Sequence, residues 1–323
     1  MAHEITERAD GTHEFAFVGA REAIWHGLGN NLEEGLPLER WKTAAGMDFD
    51  VLESAVKFYD QEGVATFEGK KVLYRSDTNA PLSVVGDDFK VVQPDEVLEF
   101  FRDLVADKGM KLSTAGTLFG GRRFWALAET GRECEVVKGD TVLGHLLLTT
   151  AVDGSMATSC KFVSTRVVCN NTLSIAMSEK GNKQSRVTHR SVFDANKVKL
   201  DLGLIDAAWF NFMDNMKKLA SVKMDQKTQR KFYEELFFDK AKDTSEQTSA
   251  AVRHVNRLLL LAAGGSGSDM SNGTAWGTLC GLTEYLTHGT GRRDANHQFW
   301  DSYHGSLDKK KADGFQKLMA MAA

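Results

Sequence analysis

The sequence has little proline, no closely paired cysteines and no long apolar run. Three prolines in 323 residues, beside 26% charged residues, argue against wholesale disorder. The four cysteines, Cys134, Cys160, Cys169 and Cys280, show no C-x-x-C spacing, so neither a zinc site nor a disulfide framework is suggested. They read as buried free thiols in a reducing compartment. Apolar runs of only a few residues fall far short of the roughly 20 a membrane span needs. The opening Met-Ala-His-Glu lacks a basic-then-apolar leader pattern. The expectation is a cytoplasmic protein in no contact with a membrane.

Chemical motifs are missing as well. There is no G-x-x-x-x-G-K-[ST] loop, no G-x-G-x-x-G after a strand, no H-E-x-x-H and no G-x-S-x-G. The nine histidines are dispersed, and adjacent carboxylates such as Asp87-Asp88 point in different directions on any regular element. Asp48-Phe49-Asp50 would align two acids only if it formed a strand. These absences lead to the expectation of a non-enzyme with no cofactor and no metal.

What is present is a core and an uneven charge. Hydrophobic residues make up 42% and charged residues 26%, a balance that supports a folded chain rather than disorder. Residues 1–60 carry twelve acids against five bases, a net of −7, whereas residues 155–199 carry eight bases against two acids, a net of +6. The overall charge of −4 argues against a surface that coats nucleic acid, but a central basic site is compatible with it. The central bases could equally form a seam against the acidic start.

Periodicity predicts an α+β fold with antiparallel β-hairpins and an intervening helix in the first half, and a helical second half. Residues 1–60 read as an acidic, aromatic segment with a short helix near 37–45. Residues 61–190 read as an α+β core. Strands are expected at Val72–Arg75, Leu82–Val85 and Phe89–Val92. Pro94, Asp95 and Glu96 open a helix that Lys108-Gly109 closes. One hairpin spans 111–129, with Gly120-Gly121 as a two-residue turn and Arg122 and Arg123 at the tip. A second spans roughly 143–168, turning at Asp153-Gly154-Ser155, and then passes through Asn170 and Asn171 into a short helix. Residues 191–323 read as helical. Their first stripe, which includes Trp209, Phe212 and Met216, is a candidate surface for self-association. Gly264–Ser268 reads as a flexible linker.

The candidate binding residues follow from the basic segment. Lys161 and Arg166 lie on the second hairpin, Asn170 and Asn171 at its exit, and Arg186, His189 and Arg190 before the helical half. With Arg122 and Arg123 they could track a phosphodiester backbone beside a sheet.

Several segments, in order, carry a family resemblance: Trp25-His26-Gly27-Leu28-Gly29; Val84 to Pro94; Thr114-Ala115-Gly116 through Arg123; Leu148 to Ser155; Arg166-Val167-Val168-Cys169-Asn170-Asn171-Thr172-Leu173; His189-Arg190; and Thr274-Ala275-Trp276 through Tyr285. Together they resemble the phage/plasmid-like proteins built on domain of unknown function 932, over about residues 20–290. This chain departs from that pattern at Gly281-Leu282 and Thr287-His288. The resemblance implies an accessory gene of a phage or plasmid acting in a bacterial host cell. The hairpin-and-helix arrangement is also similar to the annealing fold of phage recombinases and Rad52. The function expected on these grounds is single-stranded-DNA binding that promotes annealing or recombination without nucleotide hydrolysis, in a homo-oligomeric ring or filament. The alternatives are a protein that binds and redirects a host protein, and an enzyme with an unrecognised site.

Overall fold

The structure is a computed structural model that describes residues 6–8, 10–19, 29–166, 171–174, 184–191, 194, 205–238, 247–289 and 295–323. Trp25–Leu28 and Asn170 of the sequence motifs lie outside the described residues. The fold is α+β, and the chain forms two compact units, neither continuous in sequence. The first comprises residues 1–131, 145–162 and 182–203, and the second 132–144, 163–181 and 204–323.

In the first unit, β1 (Phe15–Val18) pairs in parallel with β2 (Asn30–Leu32). After α1 (Leu38–Ala44), the strands β3 (Val51–Asp60), β4 (Gly63–Arg75) and β5 (Pro81–Gly86) form an antiparallel sheet in that order. Helix α2 (Pro94–Lys108) begins with a capping box between Gln93 and Glu96 and ends at Gly109, whose φ is 65°. The Gln93 amide also clasps the root of β3. It accepts from the Val51 N–H at 2.8 Å and donates to the Val51 carbonyl at 3.1 Å.

The larger sheet is built from β6 (Lys111–Leu118), β7 (Arg123–Val137), β8 (Asp140–Ala151) and β9 (Thr158–Arg166). Its strand order is β10-β9-β8-β7-β6-β1-β2, where β10 is Asn171–Ser174, and β11 (Gln184–Val187) pairs separately with β9. Strands β7, β8 and β9 each contribute residues to both units. Most of β8 is buried, as expected for a strand covered on both faces. Phe15 stacks on Trp125 at 5.6 Å in the core of the first unit. Gly116 makes room for that indole, because a Cβ there would come within 2.4 Å of it.

The second unit adds α3 (Ile205–Ser221), α4 (Gln226–Phe237), α5 (Ser249–Gly264), α6 (Ser268–Ser271) and α7 (Ala275–Glu284). A π-turn at Tyr285–Gly289 is followed by α8 (Ala295–His304) and α9 (Ser306–Met321). Asp225, Thr248 and Thr274 cap three of these helices by accepting the N–H of Thr228, Ala251 and Gly277. Every residue of α7 from Ala275 to Thr283 is buried. Its Trp276 indole donates to Asp140, at the start of β8, at 2.8 Å. Trp209, Phe212 and Met216 are buried within this unit, so the α3 stripe is core rather than a self-association surface. No helix among the described residues is long and apolar enough to cross a membrane.

Four local expectations are corrected, and one open alternative is closed. Asn171 and Thr172 do not cap a helix. They belong to β10, which runs antiparallel to β9 with Asn171 opposite Arg166 and satisfies the edge of that strand. Phe89–Val92 is not a strand, because its backbone bonds go to a loop, with Lys90 N–H donating to the His189 carbonyl at 2.5 Å. Asp48 and Asp50 also lie outside any strand, and Asp48 is engaged by Arg8. The β6–β7 connection is a four-residue loop, because Phe119 also takes a positive φ of 57°, ahead of Gly120 at 68° and Gly121 at 94°. Finally, Gly264–Ser268 is a tight turn. The Gly265 N–H donates to the Leu261 carbonyl at 2.8 Å, and a Cβ on Gly265 would strike that oxygen at 2.5 Å.

Candidate nucleic-acid interface

The site is built from the first unit outward, beginning with a buried ion cluster. Glu14 and Arg75 are 2% and 4% exposed. Burial on this scale is tolerated only when every charge is bonded. Arg75 Nη2 lies 2.8 Å from Glu14 and 2.7 Å from Asp77, and its Nη1 donates to the Gly120 carbonyl at 3.3 Å. Its guanidinium lies 3.9 Å from the centre of the Phe49 ring, and the Thr117 hydroxyl donates to Glu14 at 2.8 Å. Burial works against the Arg75 charge, but the hydrogen bonds it donates to Asp77 and Glu14 outweigh it and raise its pKa. The same bond from Arg75 holds the Asp77 carboxyl below its ordinary value. This cluster fixes the underside of the Phe119–Arg122 loop, because the side of Gly121 lies directly against Phe49 and Arg75.

The loop is interlocked with its neighbours. The Arg122 carbonyl accepts from Val152 N–H at 2.9 Å, and Ser83 Oγ donates to the Val152 carbonyl. Arg123 lies over the Phe119 ring at 4.5 Å and reaches Asp153 at 3.4 Å. Asp153 in turn accepts the Ser155 N–H at 2.9 Å, shaping the β8–β9 tip. Beside that tip, the His189 ring stacks on Phe89 at 4.3 Å. Its Nδ1 faces the Lys90 carbonyl at 2.9 Å and its Nε2 the Met156 carbonyl at 3.1 Å. A ring with one N–H donates to one of these at a time. The neighbouring Arg190 is 3.6 Å from Asp88 with both side chains largely in solvent, a geometry worth little in stability.

The predicted residues therefore separate. Arg122, Arg123, Arg186, His189 and Arg190 all belong to the first unit. Arg122, Arg186 and Arg190 are exposed, while Arg123 and His189 are partly covered. Lys161 is 3% exposed, which withdraws its ammonium from any strand lying on the surface. Arg166 and Asn171 face each other across β9 and β10 in the second unit; their side chains, like the whole of Asn170, lie outside the described residues. Lys90 was missed by sequence reasoning. It is exposed in the loop that bonds His189, and its only signal was its place in the Val84–Pro94 motif.

Five of the twelve acids of residues 1–60 have ion-pair partners of their own. Ion pairs link Glu14 to Arg8 and Arg75, Glu34 to Lys111, Glu53 to Lys71, Asp48 to Arg8 and Glu39 to Arg102. All of these bases lie outside residues 155–199. Among the described residues no group of three or more His, Cys, Asp or Glu side chains is placed to hold a metal ion.

These features define an α+β protein with exposed bases on hydrogen-bonded loops, one of which is braced from below by the buried Glu14–Arg75 pair. The chain belongs to the family defined by the domain of unknown function DUF932, whose model matches residues 81–304. The loop and tip residues from Lys90 to Arg190 all fall within that match, whereas Glu14, Arg75 and the β3–β4 ribbon precede it. No curated protein and no solved structure matches the chain.

Proposed function

We propose that the first unit binds single-stranded DNA along its phosphodiester backbone and promotes annealing without nucleotide hydrolysis. One observation carries this reading: Lys90, Arg122 and Arg190 are exposed on loops that hydrogen-bond to one another through the β8–β9 tip or adjoin those that do, and Arg186 is exposed on strand β11, which leads into the His189 loop. Annealing requires no bond chemistry. It requires a surface that holds a strand by its phosphates and leaves the bases free to pair. Rigid loops suit that task, because little ordering is left for the protein when the strand arrives.

The test is fluorescence anisotropy with a labelled oligonucleotide at several salt concentrations. Affinity should fall with a log–log slope of roughly −0.7 per neutralised phosphate. Arg122→Ala should weaken binding by about 1 kcal/mol, flatten the slope and leave the melting temperature unchanged. Arg123→Ala should instead lower the melting temperature, because it removes the contacts to Asp153 and Phe119. Absence of binding at low salt would sink the proposal and favour a protein-binding role.

A further inference from the structure

The β3–β4 ribbon is anchored at its root and bare along the rest of its length. Val51 and Leu73 are buried at the root. Beyond them, from Leu52 to Asp60, every residue of β3 is exposed except Val56, which is partly covered. Neither face of the outer ribbon is therefore packed on the protein. Tyr59 is 87% exposed, and Phe58 and Phe67, 44% and 51% exposed, lie edge to face at 6.5 Å. β3 is also the edge of its sheet, so among the described residues one side of its backbone has no strand beside it. A two-stranded ribbon is marginal by itself in water, and a long exposed edge with apolar side chains is a template for another strand.

The charges on β3 select the partner. Apart from the buried Arg75 at its root, the ribbon carries the acids Glu53, Asp60, Glu62 and Glu68 against the bases Lys57, Lys70 and Lys71, which suits neither a polyanion nor a strongly basic ligand. Glu53 and Lys57 lie two residues either side of Ala55. If two β3 strands pair antiparallel about a twofold axis at Ala55, Glu53 meets the partner's Lys57, and the reciprocal pair forms by symmetry. Leu52 then meets the partner's Phe58 on the opposite face, and the β3–β4 register break between Ala55 and Lys57 puts its extra residues on β4, leaving the β3 edge continuous across the axis. Glu53 already binds Lys71 at 2.8 Å but is half exposed, so its carboxylate is still open to a second cation. Lysine on an edge usually repels an incoming strand. In this register it has an acid to meet.

We propose that the chain forms a twofold dimer by antiparallel pairing of its β3 edges, centred on Ala55. The dimer continues the three-stranded sheet across the axis and needs no nucleic acid.

The test is sedimentation velocity of the full chain over a wide concentration range without DNA. Reversible dimerisation is expected. Glu53→Lys and Lys57→Glu should each weaken it by about tenfold or more, since either one sets two like-charged pairs across the axis. The double reversal should restore the constant to within about threefold of the parent. Ala55→Cys provides a readout that leaves the charges intact: mild oxidation should crosslink it to a dimer well beyond the parent protein, whose described cysteines are buried. A monomer at all concentrations would overturn the proposal. So would a dimer indifferent to both charge reversals, or an Ala55→Cys variant that crosslinks no better than the parent.

Discussion

Arg75 is the residue on which the first unit most depends. It joins Glu14 beside β1 to Asp77 after β4 and to the carbonyl of Gly120 between β6 and β7. Removing one partner of a buried pair leaves a charge without compensation, a loss of about 3–5 kcal/mol. Glu14→Ala should destabilise the protein by roughly 3 kcal/mol, measured by chemical denaturation. Asp77 adds a pH signature. Its folded pKa lies below the ordinary 3.8, so its contribution is complete above that value and is lost as pH falls through the folded value. Asp77→Asn should therefore flatten the acid limb of the stability–pH curve below about pH 4, while the two curves run parallel at neutral pH. Curves that stay parallel into acid would show that the Asp77 bond carries no linkage.

At the scale of elements, the β6–β7 loop shows what a sequence does and does not disclose. Gly120-Gly121 marked a turn correctly, because positive φ favours glycine. The extra turn residue, Phe119, carried no such mark; it is held by Arg123 packing over its ring. Gly121 is required twice over, for its φ and for the space taken by Phe49 and Arg75, whose atoms lie 2.9 and 3.1 Å from where a Cβ would sit. Gly121→Val should cost about 2 kcal/mol or more and lower the melting temperature. A variant that melts with the parent would mean the loop can move away from the cluster. The helix over Pro94–Lys108 and the helices of the second half were legible because their caps and periodicity are local. Strand β10 was not, because whether Asn171 continues into a helix or turns back depends on the free edge of β9, a partner several residues away. The site was legible in part for the same reason. Charge type can be read along the chain, and Arg122 and Arg190 are exposed bases of the first unit. Burial cannot, so Lys161 was placed among them although the fold encloses it.

At the scale of the whole molecule, the two units share their strands. Residues 132–144 and 163–181 belong to the second unit yet are embedded in the sequence of the first. Their partners come later. Asp140 waits for Trp276, and Gly139 lies against Met270. A fragment ending at Gly203 contains every segment of the first unit but leaves these stretches without the helices that cover them. It should expose apolar surface and bind a hydrophobic dye more strongly than the full chain does. A fragment that melts cooperatively as a monomer with no excess dye binding would show that the first unit is self-sufficient.

The same interleaving has a bearing on biosynthesis. Domains usually fold as they leave the ribosome, amino-terminal parts first. Here the outer ends of β7 and β8 emerge long before α7, so Asp140 and the buried side chains Val136 and Val142 must wait for more than a hundred further residues to be translated. During that interval the nascent chain carries strand ends with nothing to lie against. Translation speed and chaperone supply therefore bear on the yield of folded protein through those two short stretches. Slowing elongation just after residue 203 should lengthen the exposed interval and lower the soluble yield.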